Sequence, residues 1–202
     1  MGQEALDKII RAGITLAKDR KWMQIQLEDI AREAGLQIND LKLHVTSRVE
    51  ILHAYSKRLD IKALNNVGEA DEAIPAKDRV FDVVMERFEL MNEDREALRN
   101  IIKSIDPDPY AALTNCFRLK QSMTTLLDGA GISTKGLVGR IKVKALAVIY
   151  LLTLKTWLED DSPDLSKTMA SLDKHMKRAE QMATTFRLGE TENDTYTETL
   201  SS

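Results

Sequence analysis

Apolar positions in the first sixty residues fall into four short periodic groups. Leu6, Ile9, Ile10, Gly13, Ile14 and Ala17 recur at the spacing of one helix face, with Lys8, Arg11, Lys18 and Asp19 on the other. Trp22 follows the basic break "KDRKW". A second helix carries Leu27, Ile30, Ala31 and Ala34 and stops at Gly35, because glycine most easily takes the left-handed conformation that ends a helix. A very short third helix is predicted over about Ile38 to Val45. Thr46 and Ser47 then offer an N-cap to a fourth, and Glu50, three residues after Ser47, completes the pattern of a capping box. That helix runs on through Leu52, Tyr55 and Leu59.

The stretch "NNVGEADEAIPAKD" has the composition of a linker. Beyond it, "RVFDVVMERFELM", "REALRNIIKSI" and "YAALTNCFRLKQSMTTLL" predict helices, separated by Asn92-Glu93-Asp94 and by "DPDP". A glycine-rich turn, "DGAGISTKG", precedes a helix that is apolar on nearly every side and ends near Trp157, at "EDDSPD". Ser162 as N-cap, Pro163 at the first helical position and Asp164 beside it predict the start of a last helix. Its Leu165, Met169, Leu172, Met176, Ala179, Ala183 and Phe186 alternate at four and three residues, a narrow seam suited to another helix. The tail "LGETENDTYTETLSS", residues 188–202, is polar and acidic and is expected to be disordered. No run alternates Val, Ile and Thr as a sheet would require. The fold class expected is all-α, with an N-terminal helix-turn-helix domain at 1–66 and a helical ligand-binding and dimerisation domain at 76–187.

Composition narrows the function. Hydrophobic residues make up 43% of the 202 and charged residues 30%, ordinary for a soluble globular chain. The net charge of −3 is not that of a polycation. Cys116 is the only cysteine, which excludes an internal disulfide and a cysteine-based zinc site and fits a reducing cytoplasm. "MGQEALDKII" lacks the order of a signal peptide. Leu6 stands where a myristoylation motif needs Ser or Thr. The most apolar run, "VKALAVIYLLTL", is too short for a membrane span, which takes about 20 residues.

Helix, glycine-containing turn and short helix form the helix-turn-helix pattern. Residues 5 to 60, through "IIRAGITLAKDRKW", "LEDIAREAGL" and "LKLHVTSRVEIL", resemble the N-terminal domain of the TetR family of bacterial regulators. Trp22 matches the family's aromatic residue after the first helix, and Asp29 to Gly35 match its D-I-A-x-x-A-G. The recognition helix, roughly T-L-Y-x-H-F followed by S-K, keeps His44 but has Asp40 for Thr, Lys42 for Tyr, Val45 for Phe and Arg48 for Lys. Gln26 stands where the family caps its second helix with Ser or Thr. The resemblance implies a homodimer that binds double-stranded DNA through Gln26, Gln37, Asn39, Asp40, Lys42, His44, Thr46 and Arg48. Residues 1 to 60 carry ten Lys plus Arg against nine Asp plus Glu, a weak basic bias for a phosphate-binding domain.

Ala97 to Met182, above all W-L-x-D-D-S-P-D followed by T-M-x-x-L-D, resembles a lipid-binding accessory protein family of ubiquinone biosynthesis, which has a TetR-like fold and no DNA-binding function. That resemblance implies an alternative, a lipid-binding accessory protein with a vestigial helix-turn-helix. A pure dimerisation or adaptor module is a third possibility.

Met85, Phe88, Met91, Phe117, Met123, Leu127, Tyr150 and Trp157 read by default as core. Their flexible Met and aromatic character also suits an adaptable cavity for a small apolar ligand such as a lipid, quinone or aromatic compound. The all-round apolar helix and the seam after it predict a dimer face built from Val148, Leu151, Leu165, Met169, Leu172, Met176, Ala179 and Ala183. His44, His53 and His175 are scattered, with no ligand-spaced partners, so no metal is expected. "GAGIST" has no following Lys-Ser/Thr and is not a phosphate loop. No nucleophile and base can be paired, so neither catalytic residues nor a cofactor is expected, and the chain does not read as an enzyme.

Overall fold

The computed structural model describes the backbone of residues 2–104 and 109–199 and the side chains of residues 2–104 and 118–184. Its elements are α1 (Gly2–Asp19), a single 3₁₀ turn at Trp22–Gln24, α2 (Leu27–Glu33), α3 (Ile38–Lys42), α4 (Arg48–Val67), α5 (Ala76–Asn92), α6 (Arg95–Ser104), α7 (Pro109–Gly129), α8 (Gly136–Glu159) and α9 (Ser166–Thr199). No strand occurs among the described residues. The chain divides into two compact units, residues 1–143 and 144–202.

In the first unit α1 packs against α2, α3, α4 and α6. Its Ile9, Ile10, Ile14 and Ala17 are buried, as are Ile30 and Ala31 of α2, Leu41 of α3 and Ile51 of α4. Gly13 lets the helices meet closely: a β-carbon there would lie 3.3 Å from Ile51 Cγ2 and 3.7 Å from the Trp22 ring. α4 packs along α5 and α7. The linker-like residues 68–75 are thus a loop inside this unit. Arg79 fastens the loop by donating to the carbonyls of Asp71, Ile74 and Ala130 at 3.2, 2.5 and 2.8 Å.

A buried polar knot joins α4, α5 and α7. Arg87 Nε donates to Asp60 Oδ1 at 2.7 Å, and Ser122 Oγ donates to the same oxygen at 2.8 Å. The remaining guanidinium nitrogens reach Ser56 Oγ at 2.9 Å and Met91 Sδ at 3.0 Å. Both charged side chains are nearly inaccessible. An ion pair taken out of water is tolerable only when its other donors and acceptors are also satisfied, and here hydroxyls and a thioether do so.

In the second unit, the part of α8 from Lys144 onward buries Leu146, Ile149, Tyr150, Thr153 and Trp157 on one face. Thr156 Oγ1 and Ser171 Oγ, 3.0 Å apart, tie α8 to α9. The start of α9 differs from the sequence expectation. Ser162, Pro163 and Asp164 form a turn rather than the first helical residues, and the helix begins at Ser166. Leu165 takes a left-handed φ of 54° to make the turn, and its carbonyl accepts from Met169 N at 2.9 Å. The cap comes from upstream. The buried Asp160 accepts from Thr168 N and Oγ1 at 2.8 and 2.7 Å and from Ser162 N at 3.0 Å, with Ser162 Oγ as a fourth donor. Burial pushes this carboxyl up, but the four hydrogen bonds outweigh burial and hold it well below the ordinary carboxylate value. α9 continues to Thr199, through most of the stretch whose composition suggests disorder. That stretch contains no proline to stop a helix.

Candidate nucleic-acid interface

The segment from Gln26 to Glu50 builds a helix-turn-helix by local rules. Gln26 has no side-chain cap of its own, but its N–H donates to Asp29 Oδ2 at 3.0 Å, the reciprocal half of a capping box. Arg20 also donates to Asp29, at 3.1 Å. The backbone bond from Gln26 and then the Arg20 guanidinium hold the Asp29 carboxyl below its usual value. At the other end of α2, Gly35 adopts φ 67°. Gly35 N donates to Arg32 O at 3.2 Å and Leu36 N to Ala31 O at 2.9 Å, the paired bonds of a Schellman stop. The chain is thereby turned sharply into α3.

α3 is one and a half turns long, anchored by Leu41, with Val45 buried just beyond it. Val45 N donates to Leu41 O at 3.0 Å, so the helical path persists past Lys42. The N-terminus of α4 follows at once. Ser47 Oγ accepts from Glu50 N at 3.3 Å. The Glu50 carboxylate reaches one residue further back than a capping box requires, taking Thr46 N at 2.7 Å and Thr46 Oγ1 at 2.9 Å. These two bonds lower the Glu50 carboxyl, with a smaller contribution from Arg118.

Gln26, Gln37, Asn39, Asp40, Lys42, His44 and Thr46 are all exposed. Arg48 is different. It is half-buried, and its Nη1 donates to the carbonyls of Trp22 and Ile25, both at 2.8 Å. It therefore braces the turn between α1 and α2 and is not a free surface cation. Thr46 likewise has both its N–H and its hydroxyl engaged by Glu50. Sequence reasoning passed over Leu43. It follows Leu41 by two residues, so it faces away from the core, and it is 82% exposed among Asn39, Asp40, Lys42 and His44. The signal was available in the helical period: with Leu41 and Val45 inward, position 43 must point outward. Over residues 26–50 there are three Lys or Arg against five Asp or Glu. Asp29 and Glu50 are occupied by capping, which leaves Glu28, Glu33 and Asp40 against Arg32 and Lys42.

The expected ligand residues whose side chains are described are all buried. Met85, Phe88, Met91, Met123 and Leu127 are buried in the first unit, and Tyr150 and Trp157 are buried in the second. Phe117 lies outside the residues whose side chains are described. Cavities of about 280, 570 and 450 Å³ among the described residues are lined by other side chains.

The expected dimer residues divide. Val148, Leu151 and Met169 are exposed, Ala183 is exposed, and Ala179 is half-buried. Leu165, Leu172 and Met176 are buried within the single chain and cannot be reached by a second copy. The seam exists, but it turns inward: periodicity reports that a helix has an apolar face and not which neighbour covers it. Phe186 lies outside the described side chains. Among the described residues no group of three His, Cys, Asp or Glu could hold a metal ion, and no helix is long and apolar enough to cross a membrane.

No protein-family model matches the sequence, and no curated protein does. Solved structures do match. A TetR transcriptional regulator from Nitrosomonas europaea superposes with a TM-score of 0.71 at 21% identity, over 87% of this chain and 98% of that one. A TetR regulator from Rhodococcus sp. RHA1 gives 0.63 at 17% identity, over 88% and 96%. A TetR-family regulator from Streptomyces coelicolor gives 0.53 at 13%, over 84% and 80%. At these identities the likeness defines the fold: the chain has the all-α TetR-like architecture with an N-terminal helix-turn-helix. The lipid-binding accessory protein is not favoured by these neighbours.

Proposed function

We propose that the chain is a homodimeric transcriptional regulator of the TetR kind, acting in the cytoplasm, which binds operator DNA through α3 and is controlled by a small apolar ligand. The observation that carries this reading is α3 itself. It is fixed from behind by Leu41, Val45, the Gly35 turn and the Arg48 brace, and its outward side chains are left uncommitted to any core. Lys42 supplies charge to a phosphate. Asn39 has the donor and acceptor pair that matches adenine, Asp40 can accept from the amino group of cytosine, and Leu43 suits a thymine methyl. Because the segment carries few free cations, binding rests more on base edges than on phosphates, and its salt dependence is shallow. The ligand acts by preferring one spacing of the two α3 helices over the roughly 34–36 Å that one DNA turn requires. Selection of duplexes from a random pool tests this. A two-fold symmetric pair of half-sites about one helical turn apart should be enriched, and enrichment of nothing would contradict the reading.

The dimer face is proposed on the outer side of α8, where Val148 and Leu151 are 58% and 51% exposed and Leu152 stands beside them. Large apolar residues grouped on a surface mark an interaction site. Burial of more than about 1,000 Å² in total is expected there. Val148→Glu with Leu151→Glu should yield folded monomers by sedimentation, because both positions are outside the single-chain core. A wild type that is already monomeric at micromolar concentration would remove this part of the proposal.

A further inference from the structure

We infer that the groove between α1, α4 and the end of α5 is a binding site for a small amphiphilic anion, a carboxylate on an apolar body. The groove has a volume of about 280 Å³, just below the range of about 300–1,000 Å³ usual for small-molecule sites. Ile10 and Ile14 of α1, Leu59 of α4 and Leu90 of α5 give it an apolar floor. Its charged lining comprises four cations, Arg11, Lys18, Arg58 and Lys62, and two carboxylates, Glu93 and Asp94.

Existing bonds account for part of that charge. Arg58 donates to Asp7 at 2.7 Å, and Asp94 accepts from the Tyr55 hydroxyl at 2.9 Å. Among the described residues, Arg11, Lys18 and Lys62 have no carboxylate within ion-pair distance. Three unpaired cations from two helices therefore share one concave space with a single uncommitted carboxylate, Glu93. Such a set repels itself when the groove holds only water. It attracts an anion more strongly once an apolar body displaces that water from the floor. Charge alone would suit inorganic phosphate and apolar surface alone would suit an alcohol; the combination selects a ligand with both. The volume suits a single aromatic ring or a medium-length chain.

The site lies within the first unit and does not depend on DNA binding. Its place gives it a consequence nonetheless. α1 packs on α2, α3 and α4, so an anion that bridges Arg11 or Lys18 to Lys62 fastens the joint that carries α3.

Titration calorimetry on the full chain tests the assignment with octanoate, benzoate, octanol and inorganic phosphate. At least one of the two carboxylates should bind at one per chain, while octanol and phosphate bind far more weakly. Affinity should fall at least about tenfold in the double variant Arg11→Gln/Lys62→Gln, the loss expected for charge-assisted contacts. Both positions are exposed, so the variant keeps its helical circular dichroism. Glu93→Gln should tighten binding, because it removes the opposing charge; a merely structural role would not produce that gain. The assignment is overturned if neither carboxylate binds at millimolar concentration, if octanol binds as well as octanoate, or if the double variant binds unchanged.

Discussion

Asp60→Ala is expected to destabilise the fold by about 3–5 kcal/mol, the usual cost of stranding one member of a buried ion pair. Stabilities of single domains lie around 5–15 kcal/mol, so this one side chain accounts for a large share of the total. The cause is specific. Removing the carboxylate takes away the 2.7 Å bond from Arg87 and the 2.8 Å bond from Ser122, while the guanidinium remains enclosed by α4 and α5. A paired substitution separates charge from packing. Asp60→Leu with Arg87→Met leaves no buried charge and should regain most of the loss, since hydrophobic replacements of buried pairs are often neutral or better. Urea denaturation of the two variants and the wild type measures both effects. A loss below about 1 kcal/mol for Asp60→Ala would show that the pair is solvated in solution.

The second large effect is expected at Asp160. Its carboxylate holds two residues on either side of the turn into α9, through Ser162 and Thr168. Asp160→Ala should cost about 2–4 kcal/mol, because it leaves buried donors unsatisfied and removes the helix cap. The pH dependence follows from the direction of its shift. The folded carboxyl titrates below the unfolded one, near 3.9. The stabilisation is therefore fully present above that value and is lost as pH falls toward the folded one. The stability gap between wild type and Asp160→Ala should stay constant from about pH 5 to 8 and narrow below about pH 4. A gap that persists undiminished at pH 3 would contradict the assignment of the cap to the ionised form.

Both features show what a sequence conceals. Asp60 and Arg87 lie 27 positions apart on helices whose charged residues otherwise read as solvated faces, and nothing local marks them as partners. Asp160 caps a residue eight positions on, while the nearer Ser162-Pro163-Asp164 looks like a helix start and is used as a turn. By contrast, α1, α2 and the start of α4 were legible because their signals are local: the Gly35 stop, the Ser47 cap and the period of Ile9, Ile10 and Ile14. In the candidate interface, the resemblance to the TetR recognition helix singles out positions such as Asn39 and Lys42, and both are exposed. The task of Arg48 was not legible, since its carbonyl partners at Trp22 and Ile25 come from another turn of the chain. The inward seam of Leu172 and Met176 escaped for the same reason, because tertiary contacts determine which apolar face is covered.

Lys42 and Asp40 test the proposed reading head most directly, by titration of an enriched duplex at several salt concentrations. Wild type should bind at low salt with a shallow slope. Lys42→Ala should weaken binding to all duplexes alike and reduce the slope by about one unit. Asp40→Ala should relax preference at a single base pair, costing or gaining about 1–3 kcal/mol of discrimination there. The contradictory result is a wild type silent on every duplex at low salt, with Asp40→Thr creating tight binding. That outcome would mean that the scaffold holds α3 in place while its acidic residue keeps DNA away.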